Sequence, residues 1–427
     1  MNNQITTKND SYGLFKYGLM ALPLAFMGLP LYIHLPKFYH DQYGVSLSLL
    51  GIILFCSRII DALIDPIVGM ISDKFNFRQK KYLIVFGILI AIIFNCFFLL
   101  PEGKSQLFSL LWFSACTFFS YLLYSLIYIN YYSLGLELAK NEYSRIKLSG
   151  IRELLGFIGI LSAAIMPGIF LYYLENEQEV YTYYGLVFSA TILIALYYIP
   201  NTLNLTTGKE IENPSKKILF IFSDKSMRWV LLLFFINTLP ISITSNLFSF
   251  YAEEVLESKN YTSLFLFCYF TSAAIGAGLT LFASKFFNKI KILLLAMIIS
   301  SISFSFCYFL DKNNAMWFFY ICLASGIGLG AELAIFPSIA ADRLEGKEKY
   351  GNLFFSIWGC LGKISLALAA GIFLPLISSS HEYLIDITSN SKITFFYAII
   401  PLILKLSTII MLSITMSKNR GLYVSKN

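Results

Sequence analysis

The sequence predicts an all-α polytopic membrane protein with twelve transmembrane helices, and three observations carry that prediction. Hydrophobic residues make up 57% of the 427 and charged residues only 13%, about half the charged fraction of a soluble domain. The apolar residues fall into twelve long runs, each near the roughly 20 residues that a helix needs to cross a bilayer. Short basic clusters follow every second run.

The runs are interpreted as helices because a helix satisfies its own backbone groups in lipid, and the short alternating pattern of barrel strands is absent. In chain order their approximate bounds are 14–36, 46–72, 82–101, 106–134, 147–174, 181–204, 229–252, 262–287, 290–310, 314–341, 351–378 and 394–416.

The positions of Lys and Arg predict the orientation. If the N-terminus is cytoplasmic, the inner loops and both tails hold 23 of the 32 basic residues and the outer loops hold five. Cytoplasmic loops of membrane proteins carry such an excess, so both termini are expected to be cytoplasmic. A basic rim facing anionic headgroups then accounts for the net charge of +7 without a nucleic acid. Frequent Lys, Asn and Ile favour a bacterial inner membrane.

The longest polar interval, 205–228, divides the chain into two parts with six runs each. We therefore expect an N-terminal six-helix bundle at 1–204, a cytoplasmic linker at 205–228 and a C-terminal six-helix bundle at 229–427. Two such halves with a binding site between them are a known transporter plan.

Enzymatic, metal and cofactor chemistry is not predicted. All seven cysteines lie inside apolar runs, and no C-x-x-C or H-x-x-x-H spacing occurs. No set of Ser, His and Asp suggests a nucleophile with its base.

Eight ionisable residues remain deep inside predicted helices after all others are assigned to loops, tails or helix ends. A single charge at the centre of a lone membrane helix costs roughly 2.5 to 3.5 kcal/mol, so these side chains are expected to face water or each other. They are Arg58, Asp61, Asp65, Arg152, Glu153, Glu332, Lys363 and Lys405.

Three of these charges form one stripe on the second helix. Arg58, Asp61 and Asp65 follow each other at steps of three and four residues, and Gly69 and Asp73 continue the stripe. Two carboxylates one turn apart can both ionise if Na⁺, H₃O⁺ or a basic group neutralises them, and without such a cation one of them would be protonated. The alternative is a static cluster of ion pairs, although buried ion pairs stabilise poorly compared with apolar packing.

The pattern R-x-x-D-x-x-x-D-P-x-x-G-x-x-x-D at 58–73 resembles the second helix of the glycoside-pentoside-hexuronide cation symporters, the melibiose permease-like branch of the major facilitator superfamily. Two further segments, 133–153 and 341–371, are similar to that family and lie in the expected order. Their matching positions are Glu137, Leu138, Arg145, Leu148, Arg152, Asp342, Gly351, Ser356 and Lys363.

The resemblance implies the major facilitator fold and a monomer that couples a small polar solute, such as a sugar, to Na⁺ or H⁺ by alternating access. It assigns Asp61 and Asp65 to the cation site, with Arg58 beside them and Lys363 close by, and Arg152 to the sugar. No other cofactor is implied.

The turn after the second helix resembles the superfamily loop G-x-x-x-D-[RK]. The resemblance implies that Gly69, Asp73, Lys74 and Arg78 form an inner gate, in which a carboxylate meets basic groups that separate when the halves move.

The solute site departs from the family pattern. The first helix has no acidic residue, and Tyr128 occupies the place of the family's aspartate on helix four, so galactoside recognition is not expected. Aromatic rings can stack on a sugar face instead, although packing inside the bundle is the alternative for each ring. The candidates for a lining of the pore are Tyr32, Tyr121, Tyr124, Tyr128, Asn130 and Tyr132.

Two other residues, Glu332 and Trp358, keep two interpretations each. Glu332 can serve as a proton or substrate group or can pair two helices, and Trp358 can be a substrate platform or lipid-facing packing. Glu153 is expected to pair with a neighbouring helix, because consecutive residues point to different faces. A lipid or lysolipid transporter on the same fold remains the rival function, since the chain is rich in Phe.

Overall fold

The computed structural model describes residues 13–32, 34–75, 77, 79–100, 105–139, 141–174, 176–199, 214–378 and 389–418, and these residues form helices and short connections without a strand. Nine of the described helices are long and apolar enough to cross a membrane. A shorter apolar helical segment covers Gly13–Gly28 and overlaps the helix Ala21–Tyr32, and Leu47–Phe75 and Lys80–Cys96 are two further apolar helices. Each of the twelve predicted runs coincides with one of these helices.

The helices are labelled in chain order. They are α1 (Ala21–Tyr32), α2 (His34–Tyr43), α3 (Leu47–Phe75), α4 (Lys80–Cys96), α5 (Gln106–Leu138), α6 (Glu142–Tyr173), α7 (Glu177–Tyr198), α8 (Pro214–Ser223), α9 (Lys225–Phe250), α10 (Thr262–Ala283), α11 (Lys289–Ser305), α12 (Phe318–Arg343), α13 (Gly351–Ser378), α14 (Ser389–Thr394) and α15 (Ile400–Lys418). π-Helical turns at Tyr251–Val255 and Phe395–Ile399 follow α9 and α14.

The chain divides into two compact units. The first comprises Met1–Ser223 and Ala341–Cys360, and the second comprises Asp224–Ala340 and Leu361–Asn427. In the first unit α1 packs on α6, and α5 packs on both α3 and α4. In the second unit α9 and α11 pack on α15. Helix α13 contributes its residues up to Cys360 to the first unit.

The predicted linker is helical where the structure describes it. Residues 205–213 lie outside the described part, whereas Pro214–Ser223 form α8. Asp224 ends this segment and caps α9, because its Oδ1 accepts hydrogen bonds from the backbone N–H groups of Ser226 and Met227. A side-chain acceptor at this position satisfies N–H groups that a helix leaves unpaired at its start.

Glycines let several membrane helices pack backbone against backbone. A Cβ placed on Gly159 would lie 2.3 Å from the carbonyl oxygen of Leu22. Only glycine, which has no side chain, therefore lets α6 pack this closely on α1. A Cβ on Gly276 would lie 2.1 Å from the carbonyl oxygen of Ile327, between α10 and α12. Small residues are typical of helix interfaces in lipid, where burial of apolar side chains gives no driving force.

Candidate functional site

The predicted carboxylate pair lies buried on α3. Asp61 is 5% exposed and Asp65 is 2% exposed, one helical turn apart. Arg58 lies one turn earlier, with its Nη1 3.7 Å from Asp61 Oδ2, and is about a quarter exposed. Pro66 follows the pair inside the same helix. The structure therefore brings Arg58 and Asp61 together as the spacing predicted.

Helix α5 supplies a partner that the sequence did not reveal. Ser125 donates a hydrogen bond of 2.8 Å from its Oγ to Asp61 Oδ1. The Arg58 guanidinium lies 5.6 Å from the ring centre of Tyr121 on the same helix. A small pocket between α3 and α5 has an empty volume of about 230 Å³, including its open side, and is lined by Ser57, Ile60, Asp61, Ile64, Phe118, Tyr121, Leu122 and Ser125.

Three tyrosines form a ladder along α5. The rings of Tyr124 and Tyr128 stack with centres 5.9 Å apart and planes at 15°, and those of Tyr128 and Tyr132 lie 4.1 Å apart. The guanidinium of Arg152 on α6 lies 3.6 Å from the ring centre of Tyr132. The ladder thus ends in a cation stacked on an aromatic face, an arrangement that is favourable when water is excluded.

Glu153 binds Arg152, and the expected pairing with a neighbouring helix is wrong. Its Oε1 accepts from Arg152 Nε at 3.2 Å and from Nη2 at 3.1 Å. The long Arg152 side chain bends back to its neighbour, so the different directions of consecutive Cβ atoms do not keep the two groups apart. This ion pair is buried on the arginine side, where only 4% of the side chain is exposed.

Helix α13 brings the carboxylate pair and the ladder to one place. A Cβ placed on Gly359 would lie 3.3 Å from Asp65 Oδ2 and 3.6 Å from the ring of Tyr128. The absence of a side chain at Gly359 therefore leaves space beside both groups. Lys363, one turn further along α13, is 9% exposed and belongs to the second unit.

The other predicted solute residues lie elsewhere. Asn130 is fully buried and donates to Ser72 Oγ at 2.9 Å and to the carbonyl of Leu126 at 2.7 Å, so it ties α5 to α3 and does not continue the ladder. Trp358 is 3% exposed and packs against Phe354. Glu332 lies in the second unit. The side chain of Tyr32 lies outside the described residues.

The predicted gate residues are only partly described. Asp73 pairs with Lys217 of α8, with 3.5 Å between Nζ and Oδ2, and Lys74 is exposed near the ring of Phe75. Arg78 lies outside the described residues. The pairing of Asp73 with α8 was not predicted, because residues 205–228, which include α8, were expected to be a linker.

A further ion-pair cluster was missed. Arg145 is 6% exposed at the start of α6. Its Nη1 lies 2.9 Å from Asp342 Oδ1 and 3.0 Å from Glu345 Oε2. All three residues belong to the first unit. Arg145 and Asp342 were among the positions that matched the family, which was the signal available for this contact.

Gly69 is expected to tolerate no side chain. A Cβ there would lie 2.3 Å from Ser356 Oγ and 2.6 Å from Ser356 Cβ, so Gly69→Ala should force α3 and α13 apart and cost about 1–3 kcal/mol. The check is the thermal unfolding midpoint of the purified protein, which Gly69→Ala should lower and the added Ser356→Gly should restore.

Gly51 provides the matched control on the same helix, since no described atom lies within 4 Å of a Cβ placed there. Gly51→Ala should leave the midpoint unchanged. Equal effects of the two substitutions would contradict a specific contact at Gly69 and indicate a general intolerance of α3.

The apolar helices with ionisable groups buried among them make this chain a multi-pass membrane protein, and their arrangement matches the major facilitator fold. Solved structures of that fold superpose over almost the whole chain. A bacterial homologue of the iron transporter ferroportin gives a TM-score of 0.72 at 13% identity, covering 95% of this chain and 99% of that one. An Escherichia coli fucose:proton symporter gives 0.65 at 12% identity, covering 96% and 98%.

The chain belongs to the MFS/sugar transport protein family, which it matches over residues 16–416. It is 21% identical to the inner membrane symporter YicJ of Escherichia coli over 65% of this chain and 61% of that one. It is 29% identical to the isoprimeverose transporter of Lactiplantibacillus pentosus over 36% and 33%. Both alignments thus span less than two thirds of the relative. These matches support the glycoside-pentoside-hexuronide:cation symporters as the branch, whose members are transporters and not enzymes.

Proposed function

We propose that this protein is a symporter that couples the movement of a sugar or glycoside to one monovalent cation, Na⁺ or H⁺. The observation that carries the proposal is the pair of buried carboxylates, Asp61 and Asp65, beside the aromatic ladder. Two carboxylates one helical turn apart repel each other when both are ionised, and a bound Na⁺ or proton removes that repulsion.

The cation is proposed to bind between α3 and α5. Asp61 and Ser125 already present oxygen atoms to the small pocket there, and Asp65 lies one turn away on the same helix. Oxygen ligands suit a hard cation, and the same carboxylate can instead take a proton. The role of Lys363 in coupling stays a prediction from the family resemblance.

The solute is proposed to bind along the tyrosine ladder next to Arg152. The stacked rings offer flat apolar faces and hydroxyl groups, and a guanidinium offers several hydrogen-bond donors in a plane. Because Asp65 and Tyr128 both border Gly359, a solute on the ladder and a cation at the carboxylates would lie close enough to affect each other. The name of the isoprimeverose transporter supports isoprimeverose as a first solute to try.

The setting is proposed to be a bacterial inner membrane, with the chain acting as a monomer and both termini cytoplasmic. The support is the excess of Lys and Arg in the loops that this orientation places inside, and the inner-membrane name of one relative.

The test is uptake of radiolabelled sugars into proteoliposomes under an imposed Na⁺ gradient, an imposed pH gradient, or neither. We expect accumulation with one gradient and equilibration without any. A competition series of pentoses, hexoses, disaccharides, glycosides and hexuronates then identifies the solute class. Uptake that does not depend on either gradient would contradict symport. Gradient-independent movement of a fluorescent lysolipid would favour the lipid transporter instead.

A further inference from the structure

The second unit contains an acidic residue, Glu332, that close helix packing buries. A Cβ placed on Gly328 of α12 would lie 1.9 Å from Ser300 Oγ of α11, and one on Gly330 would lie 1.9 Å from the carbonyl oxygen of Ala273 of α10. Glycine at these positions lets both helices pack directly on α12. As a result Glu332, one turn beyond Gly328, is only 1% exposed.

One oxygen of Glu332 is fully engaged and the other is not. Its Oε2 accepts from Lys405 Nζ and from Asn237 Nδ2, the latter at 2.9 Å, and Lys405 also donates to Asn237 Oδ1 at 3.1 Å. The charges of Glu332 and Lys405 cancel. Glu332 Oε1 has no hydrogen-bond partner among the residues that the structure describes, and leaving a buried charged acceptor unsatisfied is costly.

Glu332 lines a pocket that is largely apolar. The empty volume is about 420 Å³ when the open space at the mouth is counted, so the pocket opens outward and is not a closed cavity. The lining residues are Pro240, Ile241, Thr244, Tyr269, Ser300, Ser301, Phe304, Ser325, Leu329, Glu332, Pro401, Leu402 and Lys405.

The serine and threonine hydroxyl groups around the pocket differ in whether they have a hydrogen-bond partner. Those of Thr244, Ser301 and Ser325 donate to carbonyl oxygens of their own helices. Ser300 Oγ is buried and has no partner within the described part of the chain. Besides the phenol of Tyr269, the pocket therefore has two buried unsatisfied groups in its lining, a carboxylate oxygen that accepts and a hydroxyl that can donate or accept.

We propose that this pocket is a separate binding site for a neutral amphiphile with a hydroxyl head and an apolar body. The hydroxyl would donate to Glu332 Oε1 and bond Ser300 Oγ, while the body packs on the apolar walls. A cation is disfavoured because Lys405 already neutralises the carboxylate, and an anion is disfavoured by the carboxylate itself. The site lies entirely in the second unit and needs none of the residues of the proposed transport site.

Photolabelling tests this proposal on the full chain in lipid nanodiscs. The probe is a ten-carbon alcohol with a diazirine in its chain, and the labelled residues are mapped by mass spectrometry. We expect labelling on the lining of this pocket. Excess decanol should lower it several-fold by competition, whereas decane, which lacks the hydroxyl and so binds about tenfold more weakly for want of one hydrogen bond to a charged group, should change it little.

Two serines separate ligand binding from folding. Ser300→Ala removes the unsatisfied hydroxyl and should lower labelling several-fold without lowering the unfolding midpoint. Ser301→Ala, which removes a hydroxyl already bonded to its own helix, should leave labelling unchanged. Leu329→Trp, which fills the pocket, should abolish labelling. The proposal fails if decane competes as well as decanol, or if labelling spreads along the lipid-facing helices and ignores Leu329→Trp.

Two competitors identify the source of the ligand. A monoacylglycerol represents an amphiphile from the bilayer, and nitrophenyl xyloside represents a glycoside from water with an apolar end. Displacement by either supports the site and names its source. Displacement by glycerol or xylose alone, which lack an apolar body, would overturn the proposal. Gradient-driven uptake is measured in parallel, so failure of this site leaves the proposed symport to be judged by its own result.

Discussion

Asp61→Asn and Asp65→Asn should each abolish gradient-driven accumulation of the solute. Either change removes one of the two negative charges that the proposed cation would neutralise, so the attraction for a cation falls. We expect a loss of about a hundredfold or more in cation affinity, equivalent to about 3 kcal/mol. The measurement is the initial uptake rate in proteoliposomes as a function of Na⁺ concentration and of pH.

Exchange of labelled for unlabelled solute at equilibrium is the second readout for these variants. It needs solute binding and movement of the protein but no net driving force, so a folded variant that has lost coupling can retain it. Asp41→Asn is the matched control, because Asp41 is an exposed acid in the first unit. Unchanged accumulation in both Asp61→Asn and Asp65→Asn would sink the proposed cation site.

Ser125→Ala should produce a smaller effect of the same kind. It removes the 2.8 Å hydrogen bond to Asp61 but no charge, so the cation affinity should fall about tenfold. The loss of cation affinity should thus be larger in the two aspartate variants, which lose a charge, than in Ser125→Ala. A general loss of folding would not produce this order.

Arg152 carries the second large expected effect. Arg152→Ala should raise the solute KM by about 10- to 100-fold, because hydrogen bonds to a charged group contribute about 1.5–3 kcal/mol each. It also leaves the carboxylate of Glu153 without its arginine partner. Arg152→Lys keeps the charge but loses the planar group that stacks on Tyr132, so it should recover only part of the affinity.

The concentration dependence of uptake measures this effect, and the cation dependence measured alongside it should stay unchanged. Arg152→Ala combined with Glu153→Gln removes the stranded carboxylate and tests whether that charge adds to the loss. Arg228→Lys, at an exposed arginine, is the control. A KM that stays constant in Arg152→Ala would exclude Arg152 from the solute site.

The sequence predicted the parts of the molecule that depend on one helix at a time. Apolar length located the twelve runs, because each membrane helix must satisfy its backbone and cover its sides by itself. Helical spacing likewise placed Arg58, Asp61 and Asp65 on one stripe, since the period of the helix fixes which residues share a face.

The parts that were missed depend on which helix faces which. The bond of Ser125 to Asp61 and the pairing of Lys405 with Glu332 join residues 64 and 73 positions apart. A serine within an apolar run resembles any other small membrane residue, so nothing local marks it as a partner. Arg152 and Glu153 show a second limit, because a long side chain can bend back along its own helix to a neighbour whose Cβ points elsewhere.

Pro66 gives α3 a mechanical property as well as a place in a pattern. Proline has no N–H, so the carbonyl of Ala62 cannot receive the usual helical hydrogen bond, and one rung of the backbone ladder is absent between Ala62 and Pro66. The helix is therefore less stiff at the turn that holds Asp61 and Asp65. A cation bound as proposed would draw these side chains together where α3 bends readily, and such a bend would shift the segment at Gly69 that packs against Ser356.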